Sequence, residues 1–158
     1  MKLTWFTTAA FTLREGETAI AFDPFLGLPL GKRWPDMSGS AFRDAAAVFV
    51  THGHVDHILE LPALTAGSKA PVYATETPCR TLLKHGVSPD RLRRIRPGQT
   101  AEVGPFAVTA FRGAALPFRQ TPDPADGLQP PALGAPAPGV AAAAVYDRIP
   151  GEGGDPVL

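Results

Sequence analysis

The chain has 158 residues, 44% of them hydrophobic, and 15 Lys+Arg balance 15 Asp+Glu to a formal net charge of zero. That length supports one domain with a core of its own, and the charge balance excludes a global electrostatic pull toward nucleic acid or an anionic membrane. No apolar run approaches the roughly 20 residues of a membrane-spanning helix, and a lone cysteine, Cys79, excludes an internal disulfide and suits a reducing cytoplasm.

Residues 2–13 (KLTWFTTAAFTL) are rich in threonine and aromatics and predict a strand. Their threonine content, and the turn and second alternating segment close behind, argue against a secretory leader. Arg14-Glu15-Gly16-Glu17 predicts a turn and residues 18–23 (TAIAFD) a second strand, so the chain is expected to open with a hairpin closed by Asp23-Pro24-Phe25. Residues 26–44, punctuated by glycine and proline and carrying Trp34, are expected to be a loop. The continuous apolar run at 45–50 (AAAVFV) predicts a strand buried on both faces.

The next predicted helix is ILELPALTAG, closed by Gly67. Pro71–Ala74 predicts another buried strand. Thr77-Pro78 reads as an N-cap with proline at the first helical position, leading into CRTLLKHG with Gly86 as its stop. RLRRIRPGQTAEVGPFAVTAF predicts three short strands with turns at Pro97-Gly98 and Gly104-Pro105. Residues 117–139 hold seven prolines and three glycines without periodicity and are expected to be a long loop. Residues 140–146 (VAAAAVY) predict a strand, and GEGGDPVL a turn with the start of a partner strand. This order predicts an α/β protein whose mixed sheet carries helices packed on it.

Between the buried strand and the first helix lies THGHVDHI, residues 51–58, which holds three of the chain's four histidines. His52 and His54 are two apart, so in an extended segment their rings point to one side and can chelate one ion. Asp56 and His57 begin the next element and can serve a neighbouring position. Imidazole with carboxylate suits zinc, with manganese or iron as alternatives, and two pairs of donors suggest one or two ions. With a single ion, Asp56 could act instead as general base. The end of a buried strand is also where open α/β sheets place ligands.

THGHVDH resembles the HxHxDH motif of metallo-β-lactamase fold hydrolases. The opening LTWF, the segment EGETAIAFDPF and the later PGQTAEVGPFAVTAF are similar to a branch that includes ascorbate-6-phosphate lactonase-like and other zinc hydrolases, collinear from residue 3 to about 115. The resemblance implies an αββα sandwich and hydrolysis of an ester, lactone or phosphoester in a small molecule. It implies His52 and His54 as ligands of a first metal, Asp56 and His57 as ligands of a second, and Asp23 as support behind the ligands.

This sequence departs from the family pattern in two places. Thr7-Thr8 stands where the branch carries Gly-His, and by register Ala115 or a neighbour stands where a third histidine of the first site is expected. No histidine follows His85, and Asp147 and Asp155 do not sit in the family's context. The resemblance thus implies a partial domain over 1–158, corresponding to the N-terminal half of the fold. Under that expectation, activity is impaired, or the chain binds metal without catalysis, and self-association or a partner covers what the sheet leaves open.

Four further features are weaker. His85 at a helix C-terminus fits a structural role, since a cation there is favoured by the helix dipole. Arg91, Arg93, Arg94 and Arg96 raise an RNA-processing alternative that the zero net charge opposes. Phe25 and Trp34 could line a substrate groove or simply pack under the loop, and Cys79 is expected as a small buried hydrophobe.

Overall fold

The computed structural model describes residues 1–26, 40–114 and 140–148. The proline-rich stretch 117–139, Trp34, Ala115 and the segment GEGGDPVL lie outside them. A six-stranded sheet takes its strands in chain order: β1 (Lys2–Thr7), β2 (Ala10–Glu15), β3 (Thr18–Phe22), β4 (Ala47–Phe49), β5 (Val72–Ala74) and β6 (Leu92–Arg94). The first three pair antiparallel and β3 to β6 pair parallel. A second sheet holds β7 (Thr100–Val103), β8 (Phe106–Ala114) and β9 (Val140–Arg148). Among the described residues the helices are α1 (Ser40–Arg43), α2 (Val55–Ile58), α3 (Leu61–Leu64) and α4 (Glu76–Lys84), with one turn of 3₁₀ helix at Pro89–Arg91.

Alternation along the central strands makes two cores from one sheet. Val48 and Val50 of the AAAVFV run face the helices, where Phe42, Leu61, Cys79 and Leu82 meet them. Ala47 and Phe49 face the second sheet, where Phe106, Val108 and Ala110 of β8 meet them. Both faces of β4 are covered, which is why its sequence is apolar at every position. The described residues therefore stack as helices, sheet and sheet, three of the four layers of an αββα sandwich.

Aromatic side chains cross the strands on the face toward the second sheet. Phe11 stacks on Phe22 at 4.5 Å between ring centroids, Phe22 on Phe49 at 5.2 Å and Phe49 on Tyr73 at 4.9 Å. Cross-strand pairing sets this row, because Phe11 lies opposite Phe22, Phe22 opposite Phe49 and Phe49 opposite Tyr73. Leu3 and Trp5 continue the same face onto edge strand β1, opposite Leu13 and Phe11, but stay 60% and 65% exposed.

The structure corrects several boundaries. The single strand expected over 2–13 is two strands, because the chain reverses at Thr8-Ala9 with Thr8 in the left-handed region at φ 42°; the opening is a three-stranded meander. The loop expected over 26–44 contains α1. The helix expected across ILELPALTAG is broken into α2 and α3, since Pro62 has no N–H to give and its ring clashes with the carbonyl four residues earlier, at Ile58. Helix α4 begins at Glu76 with Thr75 at the N-cap position, earlier than Thr77-Pro78 suggested. Pro78 is tolerated there because the first four N–H groups of a helix have no partner within it. Gly86, at φ 83°, ends α4 as expected, and the strands expected over 91–111 and 140–146 are present as β6 to β9.

The turn between β7 and β8 fixes the direction of the second sheet. A Cβ added at Gly104, where φ is 55°, would lie 3.0 Å from a Thr18 methyl, so this turn rests on the start of β3. Strand β8 consequently runs from there toward the end of the sheet where β3 and β4 finish.

Thr8 is a β-branched residue held in a conformation that costs roughly 1–2 kcal/mol outside glycine. Thr8→Gly should therefore stabilise the protein by about 1 kcal/mol after glycine's own entropic cost, raising the melting temperature by roughly 2–4 °C. Thermal unfolding measures this, and a lowered melting point would mean that the Thr8 side chain contributes more than its backbone costs.

Candidate metal centre

Parallel pairing brings the site together. With Phe22 opposite Phe49, Asp23 comes level with Val50, one residue short of Thr51. Asp23 turns at the end of β3 with φ 43° and gives its own N–H to the Phe49 carbonyl at 2.9 Å. The residue is 1% exposed and its carboxylate collects three donors. The Thr51 N–H reaches Oδ1 at 2.8 Å, the Thr51 hydroxyl reaches Oδ2 at 2.7 Å, and His57 Nδ1 lies 3.0 Å from Oδ2.

The four residues of the cluster form two pairs. His52 Nε2 and His54 Nδ1 face each other at 2.8 Å with their rings at 70°. His57 Nε2 faces Asp56 Oδ2 at 3.6 Å. The pairs are adjacent, since the His52 and His57 ring centroids are 3.9 Å apart. The Thr51 hydroxyl also touches His52 Nδ1 at 3.1 Å and His57 Nδ1 at 3.3 Å. His52 and His57 are buried, while His54 and Asp56 are partly open to solvent. His54 holds the N-cap position of α2 with extended backbone, and its carbonyl accepts from the His57 N–H at 3.0 Å, which folds Asp56 and His57 back beside the first pair.

The two buried rings are driven in opposite directions. Burial, and next the neighbouring His57 and His54, push His52 down to about 4, so its ring is neutral at pH 7. Burial also opposes charge on His57, but the hydrogen bond and charge of Asp23, aided by Asp56, outweigh it and raise His57 above its ordinary value.

The donor set fits a metal by chemistry and only in part by geometry. Two nitrogens converge on one point in the first pair, and a nitrogen and a carboxylate oxygen converge in the second. Asp56 Oδ1 is buried with no hydrogen-bond partner among the described residues, as expected of an oxygen with a further task. A tetrahedral zinc ion with bonds near 2.0–2.1 Å would need its nitrogens about 3.4 Å apart, so the His52–His54 gap would have to open by roughly half an ångström. Among the described residues no group of three or more donors is arranged to hold an ion. Ala115, expected at the place of a third histidine, lies outside those residues.

Other residues singled out in the sequence take structural places. Phe25 is buried in the helix-side core, and Cys79 lies there too, its thiol pushed up mainly by burial. The arginine cluster is dispersed: Arg91 donates to the Ala70 and Thr65 carbonyls at 3.0 and 3.3 Å, Arg93 to the Asp90 carbonyl at 2.8 Å, and Arg94 pairs with Glu76 at 2.8 Å. His85 occupies the C-cap position of α4. Two residues escaped sequence reasoning. Thr51 joins Asp23 to both buried rings, and its place directly before the cluster was the only sign. Glu60 accepts the Leu26 N–H at 2.5 Å across 34 residues and ties down the chain leaving Asp23, for which no local pattern gave warning.

Comparison with known proteins agrees with this architecture. A model of the beta-lactamase superfamily domain matches residues 18–129. The chain belongs to that family. A UPF0173 metal-dependent hydrolase of Methylobacterium nodulans is 31% identical over 110 residues, covering 69% of this chain and 46% of that protein. A UPF0173 protein of Pyrococcus furiosus is 29% identical over 111 residues, covering 70% of this chain and 48% of its own. The chain thus spans about half the length of the curated relatives it matches. Among solved structures, a metallo hydrolase of the archaeon Ignicoccus hospitalis aligns over 63% of this chain and 41% of its own, at 23% identity and a TM-score of 0.48.

The opposed histidines should give the metal-free protein a bell-shaped pH dependence of stability. His57, raised in the folded state, contributes stability that is complete below its unfolded value of 6.5 and is lost as pH rises through its folded value. His52, lowered to about 4, favours the folded state above 6.5 and withdraws that contribution as pH falls toward 4. Urea unfolding in chelator should find this pair's contribution greatest near pH 6.5. His57→Gln should remove the alkaline decline and leave a shallower acid one, since burial still opposes charge on His52 but the neighbouring His57 no longer does.

Proposed function

We propose that the protein acts as a metal-dependent hydrolase on an ester, lactone or phosphoester of a small molecule, with zinc as its metal and manganese or iron as alternatives. His52 and His54 would hold one ion, and Asp56 and His57 a second. The observation that carries this reading is the convergence of the four donors in two adjacent pairs at the end of a buried strand. Membership of the beta-lactamase superfamily family supports it, as does the name metal-dependent hydrolase borne by relatives. The single buried cysteine accords with a cytoplasmic setting.

When bound, zinc supplies a nucleophile at neutral pH by lowering the pKa of its water to about 7. The protein's own residues do the positioning. Asp23 takes the Nδ1 hydrogen of His57 and turns Nε2 toward Asp56. The neutral ring of His52 keeps a lone pair to offer. With a single ion bound, Asp56, which has one oxygen turned to His57 and the other unpartnered among the described residues, would instead accept a proton from an attacking water.

A second reading, a chain that binds metal without turnover, draws on the lack of a three-donor group among the described residues. Protein purified without chelator should carry zinc or a similar metal, and the double variant His52→Ala/His54→Ala should lose most of it by elemental analysis. Turnover of a chromogenic phosphodiester and a chromogenic ester should stop on chelation and return with zinc. Equal metal in both proteins would overturn the assignment of the donors, and metal without turnover would favour the binding-only reading.

A further inference from the structure

We propose that Thr51 is a positioning residue that carries the hold of Asp23 from His57 across to His52, so that one buried carboxylate sets the hydrogen positions on both rings. This rests on the reading of the cluster as a metal centre. A threonine hydroxyl has one hydrogen to give. Here it goes to Asp23 Oδ2 at 2.7 Å, a short bond to a charged acceptor that cannot return a proton. The hydroxyl cannot swing away, because the Thr51 N–H is fixed to Asp23 Oδ1 at 2.8 Å and both bonds end on the same carboxylate.

With its hydrogen spent, the Thr51 oxygen meets His52 Nδ1 at 3.1 Å only as an acceptor. His52 must therefore carry its hydrogen on Nδ1, and Nε2 keeps the lone pair. That bare Nε2 faces His54 Nδ1 at 2.8 Å, so in the metal-free protein the His54 hydrogen points toward His52. The result is a directed chain: His54 donates to His52, His52 to Thr51, and Thr51 to Asp23. His57 reaches the same carboxylate directly through Nδ1 at 3.0 Å, which leaves Nε2 as the atom that faces Asp56 and must give up its hydrogen to bind a metal. Both histidines thus have Nδ1 engaged and Nε2 turned toward the cluster, and for His52 the Nε2 lone pair that a metal requires depends on one hydroxyl.

Two variants separate this role from a packing role. Thr51→Ser keeps the hydroxyl, and Thr51→Val keeps the shape without it. Nitrogen NMR of the imidazoles in metal-free protein at pH 7.5 reports the tautomer of His52, and zinc competition against a chromophoric chelator reports affinity. Wild type and Thr51→Ser should show His52 with hydrogen on Nδ1 and affinities within about three-fold of each other. Thr51→Val should lose that tautomer preference and bind zinc roughly 10- to 100-fold more weakly, the range over which such supporting contacts act. A wild-type His52 carrying its hydrogen on Nε2 overturns the proposal, as does a folded Thr51→Val with unchanged tautomer and affinity. Should Thr51→Val fail to fold, the spectra of wild type and Thr51→Ser decide. A wild type with the expected tautomer but no zinc binding would overturn the metal reading and leave the hold of Thr51 on the ring standing.

Discussion

A single buried carboxylate organises this end of the molecule. Taking Asp23 out of water costs several kcal/mol even after relaxation. Three donors offset that cost, and hydrogen bonds to a charged group contribute about 1.5–3 kcal/mol each. Two of the donors come from Thr51 and one from His57, so the terms that make the burial tolerable also lock the ends of β3, β4 and α2 together. The arrangement needs Asp23 to leave its strand in the left-handed region, a conformation aspartate accepts more readily than most residues.

The sheet beneath supplies the rigidity this requires. Strands β3 and β4 are sandwiched between two cores, and the row of stacked rings from Phe11 to Tyr73 crosses four strands just below the site. A slip of one residue in the pairing of β3 with β4 would turn every side chain to the other face and mix the helix-side aliphatics with the aromatic row. The same register puts Asp23 within reach of Thr51. Core packing and site geometry are thus one constraint. The two histidines show its electrostatic side: of two rings 3.9 Å apart, His52 is lowered chiefly by burial, while at His57 the Asp23 carboxylate outweighs burial and raises it.

Much of this was legible in the sequence, and for local reasons. The run AAAVFV pointed to a strand covered on both faces, which its Ala47–Phe49 part is, and the density of ligand-type residues after it marked the site. Turns at Gly86, Gly98 and Gly104 could be read because each occupies a positive φ that favours glycine. Where sequence reasoning erred, local patterns were ambiguous. Nothing in KLTWFTTAAFTL marks Thr8 as the reversal, because threonine is a strand former placed there in a conformation it disfavours. The helix across ILELPALTAG had the right apolar spacing, and one proline outweighed it.

By itself the sequence determined which residue types gather at the end of the buried strand, their spacing, and so the chemistry the cluster can support. Only the tertiary structure decided how they are held. Thr51 lies 28 residues from Asp23 and Glu60 lies 34 from Leu26, and such partnerships arise from parallel strand pairing and helix packing, which no local pattern encodes. A side chain's type says that it can accept a proton or offer a lone pair. Which of its atoms does so depends on what the fold sets against it, and here that is one carboxylate withdrawn from water.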